Sequence, residues 1–547
     1  MPPRRMPGGE WDGVARILVT EPIDEGGLEV LRRGHEVVAL GSCTPRELLE
    51  HIPAFDALVV RSATDVTAEV IAAGRRLQVI GRAGVGVNNI DVEAATARGI
   101  VVVNAPDGNT IAATEQTFAL LLALARHTPD AVASLRAGRW ERQRFMGTEL
   151  RGKTLGVIGL GRIGQEVARR AQAFGMDVCG HDPFLPAERA EALGIRFLPI
   201  PDVLGRADVL TVHTPLTPQT RGMIGSAELA RMKPSALVLN CARGGIIDEA
   251  ALYEALAAGR LGGAALDVFD REPATDSPLL RLPNVVATPH LGASTREAQS
   301  ASALEVARSV AAILAGDPVQ TAVNLPGLSE REWEQVQPLV RLGELLGRVY
   351  VQAMGGRLGD VEVVAPELPG RGGEWVAAAA IRGLMVGVVD DVVNLVNARR
   401  VAAAHGIRVT LATSPSADPR ALALRVAAAS AGEAARSVGG HAQPDGTLRL
   451  TDLDGMPVDL AAARFMLVTR HDDRPGLIGR VGTVLGRAGV NIAAMLVGRR
   501  SVRGAAVMVL CVDDAVPPSA LGEIRAIGEV SSVHSVELPA SLLDAGR

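Results

Sequence analysis

A glycine-rich turn between a predicted strand and a predicted helix constrains the fold of this chain more than any other stretch. The apolar run 155–158 predicts a buried strand, because β-branched residues bounded by glycine are typical of a central parallel strand. Gly159, Gly161 and Gly164 follow with GxGxxG spacing, and residues 162–175 carry the apolar periodicity of a helix. The stretch therefore predicts a strand–turn–helix unit of a parallel, doubly wound sheet.

The same stretch indicates a dinucleotide site. The three glycines permit a tight turn, a close approach of the backbone to a pyrophosphate, and close packing of helix on strand. The helix N-terminus adds amide donors and the positive end of a dipole. Asp182 stands 18 residues after Gly164, at the end of the next predicted strand, where a carboxylate accepts from a ribose hydroxyl and repels a 2′-phosphate. We therefore expect NAD rather than NADP.

Composition excludes several classes of protein. A chain of 547 residues is too long for one core and predicts three or four domains. Hydrophobic content of 48% with 3% aromatics favours compact α/β layers, and a net charge of −5 gives no basic signature for nucleic acid. Four scattered cysteines form no disulfide or metal pattern, and neither a signal peptide nor a membrane span is apparent. We expect a cytoplasmic protein without a metal site, nucleic acid or membrane partner.

Alternating strands and helices predict a body of two lobes with a cleft between them. Runs at 15–20, 35–40, 56–61 and 77–86 read as strands of a first α/β unit. Six further runs between 155 and 290 read as the strands of the dinucleotide unit, and a helix over 294–318 returns to the first unit. A strongly apolar helix over 109–127 is expected to be buried between domains or subunits.

Three side chains at predicted strand ends suggest acid–base chemistry. Arg243 can meet a carboxylate with paired donors, and His290 can take a proton from a hydroxyl as hydride leaves the same carbon. Glu272 would orient the imidazole ring. Taken singly, each has an ordinary interpretation as a surface ion pair, a loop charge or a helix-cap contact. Arg61 and Ser62 follow a strand where open sheets bind ligands, although a plain surface cation is equally consistent with that position.

A set of motifs together resembles the D-isomer-specific 2-hydroxyacid dehydrogenases, most closely the phosphoglycerate-oxidising branch of that family. The motifs are VRSAT (60–64), GRAGVGVNNID (81–91), GLGRIG (159–164), VHTPLTPQT (212–220), NCARGGIIDE (240–249), ALDVFDREP (265–273) and PHLGAST (289–295). The resemblance covers about residues 15–325. It implies NAD-linked oxidation of 3-phospho-D-glycerate to 3-phosphohydroxypyruvate, at the start of phosphorylated serine synthesis.

The resemblance also implies roles for individual residues. Arg243 would bind substrate, Glu272 would partner the histidine, and His290 would be the acid/base. Arg61, Ser62 and Asn109 match positions that bind substrate phosphate or carboxylate. The implied cofactor contacts are Gly159, Gly161, Arg162, Ile163 and Gly164 in the loop, Asp182 after the next strand, and Val85, Thr214, Cys241, Ala242, Arg243, Asp267, His290, Leu291, Gly292 and Ala293 around the nicotinamide.

The second half of the chain predicts two further domains. From Arg464 onward the pattern is βαββαβ and resembles an ACT domain, a small amino-acid-sensing module. His471, Asp473 and Asn491 fall where such modules receive L-serine at a subunit interface, although Asp and Asn are also ordinary turn residues. Residues 326–460 resemble the intervening domain of long-form members, with helices at 329–355 and around 375–405.

The complete prediction is an α/β chain with a Rossmann-type nucleotide-binding domain inserted in a flavodoxin-like substrate domain. The expected boundaries are 15–107 and 291–325 for the substrate domain, 108–290 for the NAD domain, 326–460 for an α+β intervening domain, and 464–540 for a βαββαβ ACT domain. We expect a homodimer or homotetramer.

Two alternatives stay open. A broad-specificity hydroxypyruvate or glyoxylate reductase would share every catalytic residue, but such enzymes generally end near residue 325. A dehydrogenase-fold corepressor would use NADH only to control protein binding, and it would need neither the ACT tail nor the Arg–Glu–His set.

Overall fold

Five parallel strands build the first sheet of the computed structural model, which describes residues 14–317, 319–355, 358–389, 392–414, 418–427 and 435–543. The strands are β1 (Arg16–Val19), β2 (Glu36–Ala39), β3 (Ala57–Val60), β4 (Val79–Arg82) and β5 (Val101–Val103). The order β2-β1-β3-β4-β5 is flavodoxin-like, as predicted. Strand β5 was not predicted from the sequence.

Short helices cover this sheet and begin at recognisable caps. They are α1 (Glu25–Arg32), α2 (Pro45–His51), α3 (Ala68–Ala73) and α4 (Val92–Ala97). The Thr44 hydroxyl accepts from the Glu47 amide while the Glu47 carboxylate accepts from Thr44, so a complete capping box starts α2.

Seven parallel strands build the second sheet. They are β6 (Thr154–Ile158), β7 (Asp177–His181), β8 (Arg196–Phe197), β9 (Val209–Val212), β10 (Leu237–Asn240), β11 (Gly263–Leu266) and β12 (Val285–Ala287). The order β12-β11-β10-β9-β6-β7-β8 reverses direction between β6 and β9. In open α/β sheets that reversal is where nucleotides bind, beyond the carboxyl ends of the strands. Only the two-residue edge strand β8 was not predicted.

The helices of this second unit follow the predicted alternation. They are α5 (Thr110–Ala125), α6 (Thr128–Arg136), α7 (Arg162–Ala173), α8 (Ala187–Ala192), α9 (Ile200–Arg206), α10 (Ser226–Leu229) and α11 (Glu249–Ala257). Helix α12 (Arg296–Ala315) then returns to the first sheet, where Val306, Val310 and Ile313 join its core. The second sheet is therefore inserted in the first α/β unit.

The third sheet is mixed and carries the main corrections to the sequence prediction. Its strands are β13 (Val361–Ala365), β14 (Val409–Thr413), β15 (Ala421–Val426), β16 (Arg436–Ala442), β17 (Leu448–Leu453) and β18 (Met456–Ala461), in the order β14-β13-β15-β16-β17-β18. Strands β16 and β18 were not predicted, because two adjacent glycines in β16 and a proline in β18 mask the β pattern.

The helix predicted around 375–405 is wrong as one element. After α13 (Glu330–Met354), the chain forms α14 (Gly372–Met385) and α15 (Ala398–Ala404), and residues 390–391 between them lie outside the described residues. Residues 368–373 lead into α14, and Gly372 is buried.

The fourth sheet is antiparallel and has the predicted βαββαβ order. Its strands are β19 (Phe465–Asp472), β20 (Ile492–Arg499), β21 (Ala505–Val512) and β22 (Val530–Glu537), and its helices are α16 (Leu477–Arg487) and α17 (Pro518–Arg525), before the short α18 (Ala540–Leu543). The strand order is β20-β21-β19-β22, as in ferredoxin-like folds.

Polar contacts join the third sheet to the first unit and to the fourth sheet. The Asn394 amide donates to the Gly99 carbonyl at 2.7 Å, and Asn394 is only 1% exposed. Farther on, Arg436 and Arg470 both donate to Asp454, which joins the third sheet to the fourth. Among the described residues, no helix is long and apolar enough to cross a membrane.

Candidate active site

The glycine-rich loop forms a cradle at the end of β6. Gly159 has a φ of 92°, a conformation that favours glycine, and a Cβ on Gly164 would lie 2.0 Å from the Gly159 carbonyl oxygen. Nothing lies within 4 Å of a Cβ built on Gly161, so the loop is open on that side. Strand, loop and helix therefore have the predicted arrangement.

Asp182 is tied to this loop. Its carboxylate accepts from the Leu160 amide at 2.7 Å through Oδ2 and from the Phe184 amide at 2.8 Å through Oδ1. The carboxylate thereby lies at the edge of the cradle, the position from which it can accept from a ribose. Arg162, at the start of α7, forms an exposed ion pair with Asp107 of the neighbouring lobe, 2.6 Å apart, and Ile163 follows it.

Polar atoms on the second side of the cradle have no protein partner. The Thr214 hydroxyl and the His213 Nδ1 atom are buried just after β9, and neither has a hydrogen-bond partner among the described residues. The His213 Nε2 atom lies 2.9 Å from the Thr211 hydroxyl. Burial lowers the pKa of His213 to about 4, so the ring is neutral at pH 7. Buried polar groups without partners are rare, and here they line the cradle.

His290 and Glu272 form a direct pair. His290 Nδ1 lies 2.8 Å from Glu272 Oε2, and the Glu272 Oε1 atom accepts from the Phe269 amide at 3.0 Å. With a carboxylate as its neighbour, Nδ1 carries a proton and Nε2 is left to exchange one with a substrate. The His290 side chain is 49% exposed, as proton exchange with a ligand requires.

Asp267 holds the turn that follows His290. Its buried carboxylate accepts from the Leu291 and Gly292 amides, both at 2.7 Å, and from the Thr288 hydroxyl at 2.5 Å. Ala293 ends this turn and is exposed. In this structure the carboxylate fixes the turn, and the cofactor contact that the resemblance implies for Asp267 stays a prediction.

Arg243 projects from the loop after β10 towards the other lobe. Its Nη1 atom donates to the Ala242 carbonyl at 2.6 Å, and a Cβ on Gly86 would lie 2.9 Å from its Nη2 atom. Burial lowers the pKa of Arg243, and the nearby Glu272 carboxylate opposes that effect. The guanidinium therefore lies in the cleft between the lobes, near the histidine–glutamate pair.

Arg82 is a cation that the sequence reasoning missed. Burial lowers its pKa, and repulsion from Arg243 and Arg61 lowers it further, while Glu21 opposes them. Its Nε atom is buried and has no hydrogen-bond partner among the described residues. The residue lies within the motif at 81–91, in which the resemblance implies a role only for Val85. Three guanidinium groups thus converge on the cleft.

Arg61 and Ser62 occupy a turn shaped by Glu21. The Glu21 carboxylate accepts from the Arg61, Ala63 and Thr64 amides at 2.9–3.1 Å, and the Arg61 Nη1 atom donates to the Pro22 carbonyl at 3.3 Å. Ser62 is exposed at the tip. No sequence signal pointed to Glu21, which precedes the turn by 40 residues.

The other predicted positions contribute in different ways. Asn109 precedes α5 with its Oδ1 atom buried and, within the described chain, without a hydrogen-bond partner. The Val85 carbonyl already accepts from Asn104, at 2.5 Å. Burial raises the pKa of the Cys241 thiol to about 12, so Cys241 is not a nucleophile at neutral pH. The Ala242 amide donates to the Asn240 side chain at 3.0 Å.

The candidate effector residues already have partners within the chain. The Asp473 carboxylate pairs with Arg499, and Asn491 donates to Asp513 at 2.7 Å. His471 is buried in β19, and burial lowers its pKa while Asp473 opposes the shift. His471 and Asp473 are therefore neighbours, whereas Asn491 belongs to a separate contact at the start of β20.

Curated relatives match nearly the whole chain, and three family models match separate parts of it. The NAD-binding domain of the D-isomer-specific 2-hydroxyacid dehydrogenases matches residues 118–292, the intervening domain of D-3-phosphoglycerate dehydrogenase matches 335–454, and the ACT domain matches 465–529. D-3-phosphoglycerate dehydrogenase of Synechocystis is 44% identical over 96% of this chain and 95% of its own length. The Methanocaldococcus jannaschii enzyme of that name is 44% identical over 96% of this chain and all of its own. The chain belongs to the D-3-phosphoglycerate dehydrogenase family.

Solved structures match a little over half of this chain. The TT0316 protein of Thermus thermophilus is 39% identical with a TM-score of 0.52, covering 56% of this chain and 99% of its own. A glyoxylate reductase from Paecilomyes thermophila is 31% identical with a TM-score of 0.52, covering 57% and 99%. A shorter glyoxylate reductase thus shares the fold of a little over half of this chain, whereas the relatives named D-3-phosphoglycerate dehydrogenase match 96% of it.

The cofactor of this family member is NAD. The open cradle at Gly161, the unpartnered Thr214 hydroxyl and the position of Asp182 fit a dinucleotide bound across the reversal between β6 and β9. Among the described residues, no three His, Cys, Asp or Glu side chains are grouped as metal ligands would be.

Proposed function

We propose that this chain catalyses the NAD-linked oxidation of 3-phospho-D-glycerate to 3-phosphohydroxypyruvate, the first step of phosphorylated L-serine biosynthesis. The observation that carries the proposal is the His290–Glu272 pair, 2.8 Å apart, beside Arg243 and next to the dinucleotide cradle. The long tail, matched over nearly its full length by relatives of that name, disfavours the short reductases and the corepressor alternative.

His290 is the acid/base in this proposal. Its Nε2 atom takes the proton of the substrate hydroxyl while hydride leaves the same carbon, and it returns the proton in the reverse reaction. Glu272 holds the ring through Nδ1 and stabilises the imidazolium that forms. NAD, when bound, supplies the hydride acceptor. Arg243 binds the substrate carboxylate with paired donors and orients the reacting carbon.

Three arginines select a substrate that carries a second anion. A phosphate bears about 1.5–2 negative charges at pH 7 and accepts several hydrogen bonds. Arg61 and Arg82 lie on the first lobe facing Arg243, and their mutual repulsion is relieved when a polyanion lies among them. We assign Arg61, Arg82, Ser62 and Asn109 to the part of the site that binds the phosphate. A 2-hydroxy acid without a phosphate would leave the positive charges of Arg61 and Arg82 unneutralised.

The test compares substrates with and without phosphate. We expect kcat/KM for 3-phospho-D-glycerate to exceed that for D-glycerate, and Arg61→Ala to reduce that ratio by about tenfold or more, since charged hydrogen bonds contribute about 1.5–3 kcal/mol. Arg75→Ala is the matched control, because Arg75 is exposed and precedes the amino end of β4, whereas Arg61 follows the carboxyl end of β3. Equal use of both acids by the wild type would refute the assignment and favour a broad-specificity reductase.

L-Serine is the proposed effector of the ACT domain. Its ammonium and carboxylate need paired polar groups, which His471, Asp473 and Asn491 supply if two ACT domains meet side by side. Serine would then compete with the Arg499–Asp473 pair for the Asp473 carboxylate. Inhibition by such a ligand is a population shift, with a coupling of about 1–3 kcal/mol.

Serine control is tested on the full chain. We expect calorimetric binding and slower oxidation at millimolar serine in the wild type, and Asn491→Ala should raise the serine concentration needed. Ser519→Ala, exposed on α17 of the same domain, should respond as the wild type. If the full-length protein does not bind serine and its oxidation rate is unchanged by serine, the proposal is wrong. The ACT domain would then serve assembly or bind another ligand.

The chain is proposed to act as a homodimer or homotetramer with the domain boundaries stated above. Four apolar side chains around α5 and α6 support an interface there, since they are exposed by 36–77%: Leu122, Val132, Leu135 and Trp140. Light scattering coupled to gel filtration would refute the oligomer if it gave the 57.0 kDa of a single chain.

A further inference from the structure

The loop that carries Glu272 is held by contacts outside the catalytic set. The Phe269 amide donates to Glu272 itself, while the next amide, of Asp270, donates to Glu249 Oε1 at 2.5 Å. The Asp270 side chain in turn pairs with Arg221, at 2.9 Å. Both the backbone amide and the side-chain carboxylate of Asp270 are therefore held in place. Asp270 precedes Glu272, which orients His290, by two residues.

Glu249 is built into this position by its own helix. It is the first residue of α11, whose N-cap Asp248 accepts from the Ala250 and Ala251 amides at 3.0 Å. The glutamate side chain is half-buried and turns away from the helix axis to reach the Asp270 amide. A capped helix thus carries the acceptor, and the loop carries the donor.

Glu249 lies close enough to Glu272 for the two carboxylates to repel each other. Burial raises the pKa of Glu249, and repulsion from Asp270, Glu272 and Asp248 adds to that, while the hydrogen bond from the Asp270 amide opposes it. A half-buried carboxylate beside three others has an unfavourable electrostatic energy unless a hydrogen bond offsets it. The hydrogen bond from the Asp270 amide is the contact that does so here.

We infer that Glu249 is a positioning residue for the dehydrogenase reaction: by holding the Asp270 amide, it fixes the 269–272 loop so that Glu272 stays within hydrogen-bond distance of His290. This inference rests on the proposed function, because it assumes that the His290–Glu272 pair performs the proton transfer. The Glu249 side chain accepts from the Asp270 amide rather than from His290. A displacement of about 1 Å in such a supporting element can reduce turnover by about 10²-fold.

The test uses two replacements of Glu249 and a matched control. Glu249→Gln keeps an acceptor oxygen for the Asp270 amide, whereas Glu249→Ala removes it. We expect Glu249→Ala to lower kcat by about tenfold or more and to leave the KM for substrate within about twofold of the wild type. The reason is that acid–base catalysis contributes about 10²–10⁴-fold to the rate and the variant should lose part of it. Glu249→Gln should restore most of that loss. Glu254→Gln, exposed on the same helix, should match the wild type.

A second readout does not depend on turnover. Hydrogen exchange of the peptide 266–273, followed by mass spectrometry, should be faster in Glu249→Ala and unchanged in Glu249→Gln. Wild-type kcat and exchange in Glu249→Ala would overturn the inference, as would equal damage in the Gln and Ala variants. If the wild type oxidised no phosphoglycerate, the proposed substrate would be wrong, yet the exchange measurement would still decide whether Glu249 holds the loop.

Discussion

Protonation of His213 should destabilise the nucleotide-binding lobe at mildly acidic pH. The residue follows β9 directly beneath the glycine loop, where a Cβ on Gly159 would lie 2.7 Å from the His213 carbonyl carbon. Burial lowers the pKa of His213 from 6.5 to about 4. Between pH 6.5 and pH 4 the unfolded chain binds a proton at His213 that the folded chain excludes. The contribution of the neutral ring to the free energy of unfolding is therefore fully present above pH 6.5 and is lost as the pH falls towards 4.

The size of the effect follows from the same difference. A change from 6.5 to about 4 corresponds to about 3.4 kcal/mol, at about 1.36 kcal/mol per tenfold change in proton affinity. Because the residue as a whole is only partly buried, we expect about 2–3 kcal/mol of the stability of this lobe to depend on His213 at pH 4.5. For a lobe of this size, that is about 4–12 °C in the unfolding midpoint.

The assay compares unfolding midpoints at pH 7.5 and pH 4.5, together with NADH affinity. His213→Gln should lose about 4–12 °C less than the wild type over that interval. His51→Gln, at the exposed end of α2, should lose as much as the wild type. Parallel losses in the wild type and His213→Gln would refute the assignment of a buried, neutral His213.

Three further replacements test other contacts. Asp182→Ala should weaken NAD use and shrink discrimination against NADP in steady-state assays, whereas Asp177→Ala, exposed at the start of the same strand, should not; a wild type that uses both cofactors equally would contradict this. Asp267→Asn should lower stability by about 2–4 kcal/mol and weaken NADH binding in a fluorescence titration, because an amide cannot accept both turn N–H groups; an unchanged affinity would show that the turn does not need the carboxylate. Asn394→Ala should cost about 1–3 kcal/mol in thermal unfolding by leaving the buried Gly99 carbonyl unpaired, and a midpoint equal to that of an exposed Arg399→Ala control would refute the anchor.

Strong local patterns explain why most of the fold could be predicted. Apolar β-branched runs ending in glycine or in motif residues mark the parallel strands, and the glycine spacing with Asp182 identifies the cradle. The βαββαβ pattern likewise predicts the fourth sheet. Where the pattern is weak the prediction fails. The two glycines of β16 supply no side chains that alternate. Helices α14 and α15 read as one helical stretch because both are rich in alanine and valine.

The candidate site was only partly predictable, for a different reason. His290 and Glu272 lie in motifs, so their residue types and spacing suggested chemistry, and the structure adds their 2.8 Å contact. Arg82, Glu21 and Glu249 act through contacts between distant parts of the chain. Their environment depends on how the lobes and loops pack, which no local pattern encodes.

The central claim is that His290 transfers the proton during oxidation of 3-phospho-D-glycerate with NAD, and a single replacement tests it most directly. His290 has a φ of 57°, a conformation that asparagine tolerates, so His290→Asn removes the imidazole with little backbone strain. His127→Asn is the matched control, because His127 has a φ of 50° and is exposed. We predict that His290→Asn loses about 10²–10⁴-fold in kcat while binding NADH as the wild type does, and that His127→Asn keeps full turnover. Wild-type kcat in His290→Asn would contradict the claim.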